Sequence, residues 1–216
     1  MSENILVIGD KRFSSWSLRP WLVLRQRAIP FREVRIRLRQ PETKAEILHW
    51  SPGGKVPVLI SGPMTVWESL AICETLADRE PDGELWPENP AARAMARAIS
   101  SEMHAGFAAL RENLSMDVCE KHPDTPRTPA CEADILRITA LWRAAREQFG
   151  SHGPFLFGRF SVADAMYAPV CTRFDTYGVP LDPVCQAYQE TILTLPAMRQ
   201  WIAEAGEEQT AHAQAG

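Results

Sequence analysis

Apolar and polar positions along the chain follow two rhythms. Ile5-Leu6-Val7-Ile8 is an unbroken apolar run that ends at Gly9-Asp10, the pattern of a strand buried on both faces. Leu18, Trp21, Leu22 and Leu24 then recur at helical spacing and predict a helix from about Ser17 to Arg27. Pro20 suits that helix only in its first turn, where a missing N–H costs little. Strict alternation over Val34-Arg35-Ile36-Arg37-Leu38-Arg39 predicts a strand with one dry face and one face of arginines. That charged face reads as solvated and hostile to strand addition, with an anion patch as the alternative. Val58-Leu59-Ile60, the turn Ser61-Gly62-Pro63 and Thr65-Val66-Trp67 read as a hairpin. Ser69 to Asp78 reads as a helix with Leu70, Cys73, Leu76 and Ala77 on one stripe. The order is a right-handed βαβ unit, a connecting segment, then ββα, which predicts an α/β domain built on a small four-stranded sheet.

The rhythm changes after residue 80. Pro81, Asp82, Gly83, Pro87, Asn89 and Pro90 give residues 80–92 the composition of a linker. Beyond it the pattern is helical throughout: a long helix over Ala91–Ser115, a proline-punctuated loop, then helices over Glu132–Phe149, Val162–Thr176, near Val184–Leu193 and near Ala197–Ala205. The tail after Gly206 is rich in Ala, Gln and Glu and is expected to fray. The resulting division is 1–82, a linker at 83–90, and an all-helical part over 91–216.

Charge sharpens the contrast between the parts. Residues 1–82 carry 12 Lys and Arg against 10 Asp and Glu, whereas 83–216 carry 11 against 17, for a net charge of −4 overall. That balance argues against general nucleic-acid binding, which needs a basic surface. The 45% hydrophobic content is that of a globular chain. There is no window of about 18 consecutive apolar residues, so no membrane span is expected. Met1-Ser2-Glu3-Asn4 has neither a basic region nor a long apolar stretch, which makes the cytoplasm the expected compartment. The five cysteines are odd in number, scattered, and without a CxxC, so they are expected to be free thiols, not a disulfide framework or a zinc site. The five histidines show no metal-ligand spacing, and no metal is expected.

Four motifs carry candidate chemistry. Phe13-Ser14-Ser15-Trp16-Ser17-Leu18-Arg19 places three serines between a strand end and a helix start, where N–H groups and a partial positive charge are available. One serine explains an N-cap, and three exceed it. Lys55-Val56-Pro57 puts a proline at the start of a strand; with a cis Val56–Pro57 bond, the Val56 backbone faces outward for strand-like pairing with a peptide. Trp67-Glu68-Ser69 offers an acceptor for an ammonium group and a hydroxyl for a carboxylate, with N-capping by Ser69 as the structural alternative. Ser161-Val162-Ala163-Asp164 reads as a capping box that nucleates the central helix of the second part. Gly-x-Ser-x-Gly is absent, which removes a serine hydrolase of that type. On the long helix, Met103, Phe107 and Arg111 share a face that suits a pocket wall with an anion-attracting end, although ordinary packing explains the same face. Arg173 is a second anion candidate, and Phe13 and Trp16 are candidate apolar walls.

Taken together, Ser14 five residues before Arg19, Lys55-Val56-Pro57, Glu68-Ser69 and Gly158-Arg159-Phe160-Ser161-Val162-Ala163-Asp164 resemble the cytosolic glutathione S-transferases over nearly the whole chain. The first motif is most similar to the zeta class, whose pattern is Ser-Ser-Cys. Trp16 stands in place of that cysteine, a departure that bears on isomerase activity of the maleylacetoacetate type and leaves the serine assignment intact. The resemblance implies a thioredoxin-like N-terminal domain with a four-stranded mixed sheet, an all-α C-terminal domain that shapes an electrophile pocket, and a homodimer. It implies glutathione as co-substrate: Ser14 donating to the sulfur, Ser15 beside it, the Val56 backbone before a cis Pro57 pairing with the cysteinyl part, Glu68 and Ser69 holding the γ-glutamyl end, and Lys55 near the glycyl part. A free thiol titrates near ~8.5, and lowering that by ~2 units takes ~2.7 kcal/mol, about what one charge-assisted hydrogen bond supplies. Ser14 then acts as a donor and not as a covalent nucleophile. The alternative from another class is a non-catalytic scaffold of the same fold. A thiol–disulfide oxidoreductase is excluded by the lack of cysteine in the first motif.

Overall fold

The computed structural model describes residues 3–79 and 85–214. Met1, Ser2, the 80–84 end of the expected linker and the expected boundary at 82/83 lie outside the described residues. The first part contains β1 (Asn4–Ile8), α1 (Ser15–Gln26), β2 (Phe31–Arg35), α2 (Thr43–Trp50), β3 (Val58–Ser61), β4 (Met64–Trp67) and α3 (Ser69–Arg79). The strand order is β2-β1-β3-β4, with β1 parallel to β2 and antiparallel to β3, and β3 antiparallel to β4. This is the four-stranded mixed sheet expected from the βαβ-ββα order.

The unbroken apolar run of β1 serves two cores at once, because successive side chains point to opposite faces. Leu6 and Ile8 join the main core with α1 and α3, and Val7 joins Val58, Ile36 and Ile47 on the opposite face. Ile47 is the buried residue of α2, a helix the sequence pattern does not predict, because one buried position makes no stripe.

β2 begins earlier and ends earlier than the alternation predicts. The ladder stops at Arg35 with one further bond, Ile36 N–H to the Ile8 carbonyl. The chain then turns, because the Asp10 carboxylate takes the Leu38 N–H at 2.8 Å and Arg39 adopts a left-handed φ of 60°. Leu38 packs over Gly9, where a Cβ would come within 2.6 Å of it.

The second part is α4 (Pro90–Ala105), α5 (Ala108–Asn113), α6 (Pro129–Phe149), α7 (Val162–Thr176), α8 (Pro183–Leu193) and α9 (Pro196–Gln214). The expected single helix over 91–115 is two helices. A Cβ at Gly106 would lie 2.9 Å from the Glu102 carbonyl, and Phe107 has a φ of 60°, so the helix ends and restarts there. α7 is buried along almost its whole length and packs against α1 and α4. It starts at the expected capping box, with Asp164 accepting from the Ser161 N–H at 2.8 Å and the Ser161 hydroxyl at 2.9 Å. The tail does not fray after Gly206: α9 continues to Gln214, and Glu208 is buried against the first part, where it accepts from the Lys11 N–H at 2.9 Å. Arg12 adds a bidentate pair with Asp117 at 2.9 and 2.7 Å across the same junction. No helix among the described residues is long and apolar enough to cross a membrane.

Candidate active site

α1 starts two residues before the sequence pattern predicts, and this reassigns its serines. Ser14 is the N-cap residue but its side chain makes no cap; instead Ser14 Oγ donates to Ser17 Oγ at 2.7 Å. Ser17, where the pattern would start the helix, is inside it and accepts the Gly9 N–H at 3.1 Å, tying α1 to the end of β1. Ser15 is the first helical residue, and its Oγ accepts from Arg173 Nη2 at 3.4 Å. Pro20 also lies inside α1, beyond its first turn, so the Trp16 carbonyl has no i+4 N–H to accept.

A cavity of about 300 Å³ opens at the N-terminal end of α3. It is lined by Trp16, Gly53, Lys55, Val56, Pro57, Trp67, Glu68 and Ser69. Three motifs distant in sequence thus meet in one place. The Val56–Pro57 bond is cis, as expected. Ser69 is the first residue of α3 and not its N-cap. The residue before it, Glu68, holds a left-handed φ of 69°, which costs a non-glycine residue about 1–2 kcal/mol. Glu68 thereby stands exposed at the mouth of the cavity, while Ser69 is buried and accepts from Arg19 Nη1 at 3.3 Å.

The helical part supplies the facing wall. His104 Nε2 lies 3.5 Å from Glu68 Oε2, and its ring meets Trp16 edge-on at 5.3 Å between centroids. Burial and the charge of Arg19 lower the His104 pKa, so the imidazole is neutral at pH 7. Arg19 and Arg111 lie 4.2 and 4.9 Å from the centre of the Trp16 ring. Arg111 donates to the carbonyls of Met103, His104 and Gly106, closing the end of α4.

Several expected wall residues are elsewhere. Met103 and Phe107 are buried in the main core and do not line the cavity, because the helix that would put them on one face is broken between them. Phe13 faces a separate cavity of about 240 Å³, held between the guanidinium groups of Arg12 and Arg39. Ser14 and Ser15 are buried, 5% and 6% exposed, and are not among the residues that line the cavity. A further cavity of about 510 Å³ between Trp86 and Phe160 is lined by none of the expected site residues. The sequence pattern missed the facing role of His104 and the burial of Arg19; the Arg19-Pro20 pair inside a helix is the one feature that marks the latter as unusual. No group of three or more metal-ligating side chains occurs among the described residues.

Comparison with known proteins adds to this geometry. The family of glutathione S-transferase N-terminal domains matches residues 13–79, and that of glutathione S-transferase C-terminal domains matches residues 95–204. A probable maleylacetoacetate isomerase of Caenorhabditis elegans is 25% identical over 200 residues, covering 91% of this chain and 92% of that protein. Human glutathione S-transferase omega-2 is 29% identical over 213 residues, covering 93% of this chain and 76% of that protein. Among solved structures, a glutathione transferase homologue from Burkholderia GL BGR1 with bound glutathione superimposes with a TM-score of 0.70 at 21% identity, covering 95% of this chain and 98% of that one.

Proposed function

The chain belongs to the glutathione S-transferase family, and from that premise we propose that the cavity at the start of α3 binds glutathione and that the hydroxyls of α1 hold its sulfur as the thiolate. The observation that carries the reading is the meeting of Lys55, Val56, Pro57, Glu68, Ser69 and Trp16 around one cavity. Their chemistry matches the tripeptide group by group. Glu68 is an exposed carboxylate for the α-ammonium group. Ser69 and the free N–H groups at the start of α3 suit the adjacent carboxylate. The backbone of Val56 suits strand-like pairing with the cysteinyl residue, and Lys55 suits the glycyl carboxylate.

Thiolate formation falls to Ser14. In the structure its proton goes to Ser17, which itself accepts from Gly9. Hydroxyl protons rotate to suit their partners. With an anionic sulfur present, Ser17 donates to Ser14 and Ser14 to sulfur, a chain of hydrogen bonds in which each strengthens the next. Ser15 lies beside it, its oxygen engaged by Arg173. The N-terminal end of α1 adds a favourable field for the anion. The thiolate then attacks, reduces or isomerises a small electrophile. Isomerisation is the chemistry named for the Caenorhabditis elegans relative.

The same reading includes a homodimer, supported by the exposed Met64, Trp67 and Leu48 around the edge strand β4. It includes a cytoplasmic setting, supported by five cysteines that are all free. The test is retention on immobilised glutathione combined with the ultraviolet absorbance of bound thiolate at pH 7. Retention with thiolate absorbance is expected; retention without it sinks the catalytic reading and leaves a glutathione-binding scaffold.

A further inference from the structure

Three guanidinium groups converge around Trp16 and Ser15, where the two parts of the chain meet. Arg111 is accounted for by the carbonyls that end α4. Arg19 and Arg173 are not. Arg19 is 1% exposed and, among the described residues, makes one hydrogen bond of 3.3 Å to Ser69 and has no partner for Nε. Arg173 is 6% exposed and, among the described residues, makes one of 3.4 Å to Ser15 and has no partner for Nη1. Burial and the charges of Arg111 and Arg173 push Arg19 down to about 9, and burial with the charge of Arg111 pushes Arg173 down to about 10. Both remain cationic at neutral pH. The groups that favour the charges are Cys73 and Tyr167 for Arg19, both held neutral at that pH by burial, and Tyr177 for Arg173.

Buried cations with unused N–H groups and no counter-ion are costly to keep. The arrangement is economical only where an anion completes it. On the reading of the cavity given above, on which this step rests, glutathione does not complete it: Glu68, Ser69 and Lys55 already match its charged groups. Arg19 stands behind Ser69, on the γ-glutamyl side. Arg173 stands behind Ser15, on the sulfur side, and comes from the helical part.

We propose that Arg173, reinforced by Arg19 and Arg111, receives a carboxylate carried by the second substrate, so that this enzyme is built for anionic electrophiles. Trp16 lines the cavity on one side and lies against Arg19 and Arg111 on the other. It is half-buried, and it is the side chain that must yield to admit the carboxylate.

Calorimetric titration of the full chain, saturated with S-methylglutathione, with para-nitrobenzoate and its neutral counterpart para-nitrobenzamide tests this. The benzoate is expected to bind about tenfold more tightly, the ratio that about 1.4 kcal/mol of charge recognition produces. In Arg173→Gln the two affinities come within about twofold of each other, and Arg173→Lys restores part of the difference. Equal affinities in the wild-type protein, or a preference that survives Arg173→Gln, overturn the receptor. The wild-type comparison decides the matter even if the variants do not fold. Equal affinities on a protein that has bound S-methylglutathione count against the anion receptor alone, whereas failure to bind S-methylglutathione overturns the glutathione reading as well.

Discussion

A hydroxyl stabilises a thiolate only with a proton it is not giving to another acceptor. That condition bears on Ser14, which the resemblance assigns to the sulfur, and on Ser15 and Ser17 beside it. Ser14 has a neighbour that can return the bond, Ser15 is held by a cation, and Ser17 is the anchor that receives the Gly9 N–H. In Ser14→Ala the pKa of bound glutathione is expected to rise by about 1–2 units, the loss of one charge-assisted hydrogen bond. In Ser17→Ala the principal effect is a loss of stability of about 1–3 kcal/mol, because the Gly9 N–H is left buried without its acceptor. Titration of thiolate absorbance and urea unfolding of each variant check this; a pKa that moves in Ser15→Ala and stays put in Ser14→Ala transfers the role to Ser15. The residue types of the site were legible in the sequence, since Glu68-Ser69 and Lys55-Val56-Pro57 sit at element ends where backbone groups are free. The orientations of the hydroxyls were not, because they depend on Gly9 and Arg173, eight and 158 residues away from their serine partners.

The helices hold the site through their ends. α7 begins at a capping box whose Asp164 is fully buried and also accepts the Leu156 N–H at 3.1 Å. Burial outweighs those hydrogen bonds and pushes its pKa up to about 6. An unfolded aspartate titrates near ~3.9. Between these values the folded chain holds a proton that the unfolded chain releases. The contribution of this group to stability is therefore full below about pH 4 and is lost as the pH rises through about 6, by roughly 2–3 kcal/mol. Urea unfolding between pH 4 and pH 7 is expected to show this slope in the wild-type protein and to lose it in Asp164→Asn; an unchanged slope in the variant assigns it to another group. The capping box was readable because it is a local pattern of residue types. The break at Gly106-Phe107 was not, since glycine alone is tolerated in a helix and only the left-handed Phe107 with Arg111 folding back makes it an end.

The two parts of the molecule are locked by the segment that composition marks as the least ordered. Lys11 is held between Glu33 and Glu204 and against the rings of Trp21 and Trp201. The Trp201 indole donates to the Lys11 carbonyl at 2.8 Å, and Glu208 takes the Lys11 N–H and pairs with Arg35 at 2.8 Å. Glu208→Ala is expected to cost about 1–3 kcal/mol, because a buried N–H loses its acceptor, and to lower Tm by several degrees for a chain of this size. Glu208→Gln, which keeps the acceptor, should recover most of the loss; a thermal scan that finds both variants equal to wild type removes the lock. For the proposed dimer, sedimentation at micromolar concentration should show about twice the 24.2 kDa chain mass, and a single species at the chain mass counts against it.

The sequence by itself determined the elements and their order, since periodicity, capping patterns and proline positions act within a few residues: β1, the β3–β4 hairpin, α3, α6 and α7 lie close to where the pattern puts them. It also determined which residue types stand at the element ends that form the cavity. Tertiary structure alone decided where β2 stops, that α4 and α5 are separate, that α9 runs on past Gly206, and that Arg19 and Arg111 meet at Trp16 while Arg173 reaches Ser15 beside it. Except for the helix break, where Arg111 folds back on carbonyls five and eight residues before it, those outcomes are set by a partner far along the chain: Asp10 for Leu38, Lys11 for Glu208, Ser15 for Arg173. Hydrogen bonds and buried charges find such partners only once the core has brought them within reach, so no local pattern can record them.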